Sequence, residues 1–529
     1  MLLNRAYNLL LLLGAIFIVG LASSCEDDEM PTPMPMTGEP PVAAFTLAVS
    51  PSDVLTIDFT NASTDATSFS WNFGDGNSST EENPSHTYAA QGDYTVTLTA
   101  TNSEGSDEAS QSLTVQSPYR TSGFFMTSLV TTSAGTTYYG EYFEEEPAGD
   151  IDMTRGQAQV VYRIYRVDGP FMYGRPLVFA EPGLVKYAID ANTDQIIEIG
   201  RINTLDFPGH VDIISDELGF FSSFNGLRVT AFNPTTMQEI QTIDLETGSQ
   251  IPTAILEDED FFVGILAQVY NPATNRLLLT LQINNGQTTS FYDAPDTYLE
   301  VIDVATLTRV SQDIQPDAML PSFRGGNNLI TDDQNNTYFL AQGSYALDGN
   351  AGPTSPARSR PRILKVNADG TFDTDYAWNP IDALGFQNNF IQVFTSMVQA
   401  DNGKVYGMAT ADTEPPRLLE LLQIFATRQL SDAEFAELSN LVFASEAGRL
   451  VEIDLQAKTA NFVMGAPLTA GYISPNQYNY DGFIYTQTVA DNGTFNGFTK
   501  TNPETNETVR IGNITVGGNA EYLFRLGEE

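Results

Sequence analysis

From about residue 160 to 526 one pattern of strand and turn recurs, and it limits what this chain can become more than any other feature. Six apolar-alternating segments end in the same kind of polar turn: 185–194, 229–236, 299–306, 363–370, 450–459 and 498–505. The turns open on Asp190, Asn233-Pro234, Asp303, Asn367-Ala368-Asp369-Gly370, Asp454 and Asn502-Pro503. Asn and Asp suit such positions because their short side chains bond the backbone two residues on. A second, tighter hairpin precedes most of these segments, with turns at Asp168-Gly169-Pro170, Asn271-Pro272-Ala273-Thr274, Asp332 to Asn335 and Asp401-Asn402-Gly403. Two hairpins per unit, repeated at a period of roughly 50 residues, predict a β-propeller with one four-stranded blade per unit.

Two hairpins fall outside the six units. One spans 124–144, and the other runs from Ile514 to Arg525 at the C-terminus. Joined as one composite blade they close the ring at about seven blades and remove its open edges. Propeller connectivity also gives the loops a direction. Turns between strands a and b, and between c and d, lie on one face; b–c and d–a loops lie on the other. In this chain the first kind is short. The second kind is long: 284–296 with Phe291 and Tyr292, 344–361 with Tyr345, and 413–446. Connections 146–159, 207–210 and 315–327 read as d–a loops on that same face. The 413–446 insertion reads as a helical hairpin in blade 5. Leu418, Leu419, Leu421, Leu422 and Phe425 have helical spacing, and Ser431 with Glu434 forms a capping box before Phe435, Leu438 and Leu441. It is either a plug packed on the rim or a docking helix for a partner.

Long loops gathered on one side of a rigid scaffold mark a binding face. Basic residues are few, 24 against 67 acidic ones, so their placement carries weight. Arg155, Arg324, Arg358, Arg360 and Arg362 fall in or beside these loops. With Tyr292, Tyr345, Phe323 and Phe291 they form a candidate site for an anionic or catecholate-like ligand, since guanidinium forks onto oxygen pairs and stacks on rings. The alternative is that these arginines pair with neighbouring carboxylates.

The same balance argues against nucleic acid, which needs a basic face. One cysteine, Cys25, excludes an intrachain disulfide and a cysteine-rich zinc site, and two histidines, His86 and His210, leave little for a histidine metal site or a Ser-His-Asp triad. The chain has no phosphate-cradling glycine loop of the Walker type and no Gly-x-Ser-x-Gly elbow. Asp332 to Asn336 resembles a calcium loop but lacks its glycine and its terminal glutamate, and so reads as a hairpin turn. We expect no enzyme, no cofactor and no metal.

The N-terminus carries Arg5, an apolar run over 9–21, and Ala22-Ser23-Ser24-Cys25. This resembles a bacterial lipoprotein signal (1–24) whose cleavage leaves Cys25 lipidated; the alternative is an ordinary secretory signal. Glu26-Asp27-Asp28-Glu29 resembles the surface-export run of Bacteroidota lipoproteins, and the stretch to Pro41 is rich in proline, giving a semi-stiff tether over 25–41. Residues 42–117 alternate with period two between closely spaced turns, as in an immunoglobulin-like sandwich. Trp71-Asn72-Phe73-Gly74-Asp75-Gly76 with His86-Thr87-Tyr88 closely resembles the PKD domain family, which implies a spacer or interaction module in which His86 is structural. Residues 118–529 are expected to form the propeller domain, and by blade rhythm over 122–526 it resembles the DUF4374-type propeller lipoproteins of Bacteroidota. That resemblance implies a non-enzymatic lipoprotein anchored to the outer membrane and displayed at the cell surface, capturing a ligand such as a ferric siderophore for a TonB-dependent transporter. The alternative is a glycan- or protein-binding adhesin with the sandwich as spacer. The whole chain is therefore predicted to be all-β.

Overall fold

The computed structural model describes residues 38–527, except 51–52, 89–90, 133–134, 159–162, 177–180, 205–206, 224–225, 258–260, 286–295, 317–328, 333, 342–360, 386–393, 411–416, 418–419, 422–423, 425–427, 429, 445, 471–475 and 492. The chain divides into two compact units, Met1–Val115 and Gln116–Glu529.

In the first unit two sheets enclose one core. Phe45–Ser50, Asp53–Asn61 and Ser85–Thr87 form one sheet; Ser78–Ser79, Ser68–Asn72, Gly92–Asn102 and Gly105–Val115 form the other. Phe59, Trp71, Phe73, Tyr88 and Leu98 fill the space between them. The turn after Phe73 requires glycine at 74. Its φ is +85°, and a Cβ there would stand 2.6 Å from the Thr95 carbonyl oxygen. Asp75 takes the Asn77 N–H at 3.0 Å and the His86 Nε2 at 2.7 Å, while the His86 ring stacks on Phe73 at 4.1 Å. His86 is thus a structural clamp on the turn. Burial would raise the Asp75 carboxyl; the Asn77 N–H and His86 hold it below the usual range instead.

The second unit is a seven-bladed β-propeller. Blade 1 consists of Ile164–Asp168, Phe171–Gly174, Leu184–Ile189 and Ile196–Ile202, in the order a, b, c, d. Blade 2 is Pro208–Ser215, Leu218–Ser223, Arg228–Asn233 and Gln238–Asp244, and blade 3 is Phe261–Asn271, Arg276–Asn285, Thr297–Asp303 and Thr308–Gln315. Blade 4 has three strands, Leu329–Thr331, Thr337–Ala341 and Arg362–Val366; the bridges Val366 to Phe372 and Ile363 to Trp378 stand in for its fourth. Blade 5 is Phe394–Gln399, Val405–Thr410, Glu446–Asp454 and Thr459–Phe462, and blade 6 is Gln477–Tyr480, Phe483–Ala490, Phe495–Thr501 and Thr508–Ile511.

Blade 7 joins the two ends of the unit. Its innermost strand is Asn519–Leu526, and Gly123–Thr132, Gly135–Phe143 and Gln157–Ala158 follow outward. The C-terminus therefore contributes one strand and not the hairpin expected from sequence. Strand Asn513–Val516 pairs instead, in parallel, with Asp150–Asp152. The chain turns at Gly517-Gly518, both at positive φ, where a Cβ on Gly518 would lie 2.2 Å from the Leu129 carbonyl oxygen. The third and fourth places of the blade are already taken by N-terminal strands.

Both faces of a blade's middle strands are covered, so these strands are buried even where a residue is polar. Leu184–Ile189 and Thr337–Ala341 are buried at each position. One hydrophobic cluster fills each of the seven interfaces between successive blades. Phe221 and Phe232 pack on Tyr173 between blades 1 and 2, and Phe125, Phe524 and Leu526 pack on Ile164 and Val185 where blade 7 meets blade 1.

Tyrosines in strand b tie blades across these interfaces by reaching the c–d connection of the next blade. Tyr338 takes the Gln456 side-chain amide at 2.7 Å, Tyr406 donates to Asn506 Oδ1 at 2.8 Å, and Tyr485 donates to Glu146 at 2.6 Å.

Candidate functional site

A propeller offers two places for function, its loop faces and the channel along its axis. Most residues of the predicted loop site, namely Arg324, Arg358, Arg360, Tyr292, Tyr345, Phe323 and Phe291, lie outside the described residues, as does Cys25. Arg155 and Arg362 are described, and the fold does not bring them together. Arg155 belongs to blade 7 and Arg362 to blade 4, the largest separation seven blades allow. Arg155 also lies in the c–d connection of its blade, where the sequence reading had a d–a loop, because 146–159 leads to the blade's own fourth strand. Its side chain is 80 % exposed and stands 3.8 Å from Asp152. The half-buried Glu141 is pushed up by burial and pulled back by Arg155. This is local pairing with carboxylates. Arg362 opens a strand and is half-buried.

The insertion in blade 5 contains the predicted capped helix, Asp432–Ala444. Ser431 Oγ and the Glu434 N–H lie 3.3 Å apart, and the Glu434 carboxylate takes the Ser431 N–H at 2.9 Å. Arg417 forks onto Glu437 and Arg428 onto Glu434. Leu421, Leu430 and Leu438 are buried, whereas Phe435 is 58 % exposed. Asp332 is a turn residue: its Oδ1 accepts the N–H groups of Gln334 and Asn336. Among the described residues no group of His, Cys, Asp or Glu is arranged to hold a metal ion.

The axial channel is bordered by the a strands, and here the chain departs from regular pairing. In blades 1, 2, 3, 5 and 7 the a–b ladder carries a register shift, at 164–166, 208–210, 265–267, 394–397 and 520–522 respectively. A bulge inserts an extra residue and re-aims the side chains beside it. In blade 1 the ladder skips Tyr165. Tyr165 then packs toward blade 2 and Val167 toward blade 7, and Arg166 is left exposed between them.

The charge of Arg166 is felt by a carboxylate on the next a strand, Asp212. Asp212 keeps solvent-accessible surface although protein atoms surround it densely, as expected for a group on a narrow wet channel. Burial pushes its carboxyl up, and the charge of Arg166 and a hydrogen bond from Gln268 oppose that shift only in part. Gln268, on the a strand of blade 3, donates to Asp212 Oδ2 at 2.9 Å. It is 8 % exposed, and its Oε1 is a buried atom without a hydrogen bond. The a strands of three successive blades thus carry a guanidinium, a carboxylate and a carboxamide.

In blades 5 to 7 polar groups on and beside the a strands bond to protein. Ser396 bonds Gln477, Gln477 bonds Thr486, Asn476 donates to the Glu521 carbonyl, and Gln487 to that of Ala520. Among the described residues, neither Arg166 nor Asp212 Oδ1 has a hydrogen-bond or ion-pair partner. The sequence reading named neither, and the only signal available was a charged residue in each of two predicted a strands.

A family model described as PKD domain matches residues 38–117. Collagenase ColA of Bacillus cereus is 48% identical over 56 residues, 10% of this chain and 6% of the collagenase, so the chain spans only a small part of that relative. The PKD1 domain of Vibrio anguillarum Epp is 35% identical; the match covers 15% of this chain and 99% of that one, with a TM-score of 0.14. The periplasmic gluconolactonase PpgL of Pseudomonas aeruginosa is 12% identical, with 77% and 99% covered and a TM-score of 0.42.

Proposed function

Since residues 38–117 belong to the PKD domain family, we propose that the chain is an extracytoplasmic binding protein whose propeller captures a ligand and whose PKD domain is a spacer. It is not an enzyme in this reading. The carrying observation is the open pair of charges on the channel, Arg166 and Asp212, backed by Gln268. Those groups present a donor and an acceptor to whatever enters, and among the described residues no group of His, Cys, Asp or Glu is arranged to hold a metal ion. The finer version is a surface lipoprotein of Bacteroidota type, held in the outer membrane through Cys25, that gives a ferric siderophore to a TonB-dependent transporter. Its anchor rests on the N-terminal pattern and its ligand on the loop arginines.

Titrating the full chain by calorimetry, against ferric catecholates in one arm and neutral sugars in the other, tests capture. Saturable binding weakened by Arg166→Ala supports the channel, and the absence of binding in every arm removes the reading. The anchor is checked separately: labelled palmitate should enter the expressed protein and be lost in Cys25→Ala.

A further inference from the structure

We infer that the path from the N-terminal segment through the PKD domain to the propeller is guarded against proteases that cut after lysine or arginine. The guard is composition up to residue 119 and docking at Arg120. It suits the extracytoplasmic reading without depending on it. Between Arg5 and Arg120 the sequence holds neither lysine nor arginine. A stretch of 114 residues would hold about five at the chain's average of 24 in 529. Proteases of trypsin specificity take a cationic side chain into a pocket that ends on a carboxylate, so this stretch offers them no residue to grip. It nevertheless contains what proteases ordinarily find first, a proline-rich run before Val42 and a boundary between compact units after Val115.

Arg120 is the first basic residue past that boundary, and the structure ties the chain down on both sides of the bond that would be cut. The Arg120 N–H donates to the Ile189 carbonyl at 2.7 Å, and the Pro118 carbonyl accepts the Ala191 N–H at 2.8 Å. Between them Tyr119 forms a bridge with Asp190, and its ring lies edge-on to Phe171 with centroids 6.1 Å apart. Beyond the bond, the Ser122 carbonyl accepts the Tyr142 hydroxyl at 2.8 Å. The side chain is held as well. Arg120 Nε donates to Asp194 Oδ1 at 2.7 Å, and the guanidinium stands 5.3 Å from the centre of the Tyr142 ring. These anchors come from two neighbouring blades, with Ile189 to Asp194 in blade 1 and Tyr142 in blade 7. A protease binds its substrate extended, pairing with the backbone and drawing in the guanidinium, so it competes for the groups already used here. The ties must open first, and cutting then follows the small population in which they are open.

The experiment is limited trypsin digestion of the full chain, read by mass spectrometry for fragments ending at residues 36 and 120. Met36→Lys puts a basic residue into the proline-rich run and serves as the unguarded standard. It should be cut after residue 36 about tenfold faster, or more, than the parent is cut after Arg120. Equal rates at the two places overturn the inference. Both fast would mean that docking protects nothing, and both slow that the missing basic residues are not the guard. A second pair of substitutions tests the docking directly. Asp194→Gly removes the carboxylate and suits the φ of 57° at that position. Combined with Tyr119→Ala, it should raise cutting after Arg120 about tenfold over the parent, with thermal unfolding verifying that the propeller is intact. An intact double variant cut no faster than the parent also overturns the inference. The comparison of the parent with Met36→Lys decides the matter even where the double variant does not fold.

Discussion

Glu300 shows how a single buried charge sets a pH response. It sits on strand c of blade 3 without solvent exposure, and Arg309 forks onto it at 2.7 and 3.0 Å while Gln312 donates a third bond. Burial still dominates and pushes the carboxyl up to about 7, with the Arg309 charge and these hydrogen bonds pulling the other way. Because the folded value lies above the unfolded one, the native state holds this proton after the unfolded chain has lost it. Stability from this group is complete below the ordinary glutamate range and is lost as pH rises to about 7. Glu300→Gln should flatten that part of the curve. Melting curves at pH 5 and pH 8 should show a decline in the parent, on the order of a few kcal/mol at most, that the variant lacks; equal declines would mean that Glu300 is not its source. Asp212 has the same sign, since burial raises it too. Asp212→Asn should therefore raise the melting temperature at pH 7 while weakening ligand, a trade of stability for function typical of sites that hold a charge for use. A melting temperature equal to or below the parent's would refute this.

At the scale of the element, what could be read in advance follows from where the physical signal is local. The c–d turns repeat one construction: Asp190, Asn233, Asp303, Asp454 and Asn502 accept N–H groups two or three residues on, and Asp194, Met237, Leu307, Lys458 and Asn506 follow at positive φ. Each such turn is about five residues long; blade 7, whose c–d connection lacks the construction, is read out of phase, whereas the phase of blades 1, 2, 3, 5 and 6 is legible. The bulges on the a strands are not, because one extra residue in an alternating run leaves composition untouched and shows only against its partner strand. The site they create is illegible for a second reason: Asp212 and Gln268 are 56 positions apart and meet only because successive blades abut. The loop arginines drew notice because their loops were assigned to one face, yet Arg155 and Arg362 belong to blades across the ring from one another. The strand-b tyrosines lie between these cases, recurring as Tyr338, Tyr406 and Tyr485 with partners in the next blade. Tyr406→Phe leaves the ring packed and strips Asn506 Oδ1 of its donor, so it should cost about 1–2 kcal/mol in denaturant unfolding. Paired with Asn506→Ala, the double variant should lose less than the sum of the single losses. Strict additivity would mean the tie carries no energy.

For the whole molecule the decisive fact is how the ring closes. A chain of six sequential blades has two exposed ends, and packing alone could bring them together as faces. Here closure is also hydrogen-bonded, since Asn519–Leu526 pairs with Gly123–Thr132 along its length, with Phe524 opposite Phe125 and Leu523 opposite Met126. Leu523, Leu526 and Met126 have no exposed surface, so the last strand seals apolar faces toward both blade 6 and blade 1. Without it, Gly123–Thr132 becomes an open edge beside uncovered hydrophobic side chains, the combination that templates association between copies. Ending the chain after Gly518 should therefore convert a single species in size-exclusion chromatography into aggregate, and a synthetic peptide of residues 519–529 added during refolding should restore the single species. Leu523→Ala is the graded form of the same test. It keeps every backbone bond and should cost about 2–5 kcal/mol as a cavity at the seam. A truncated chain that stays monomeric and melts as the parent does would show that the blade faces close the ring unaided, and that the last strand only decorates it.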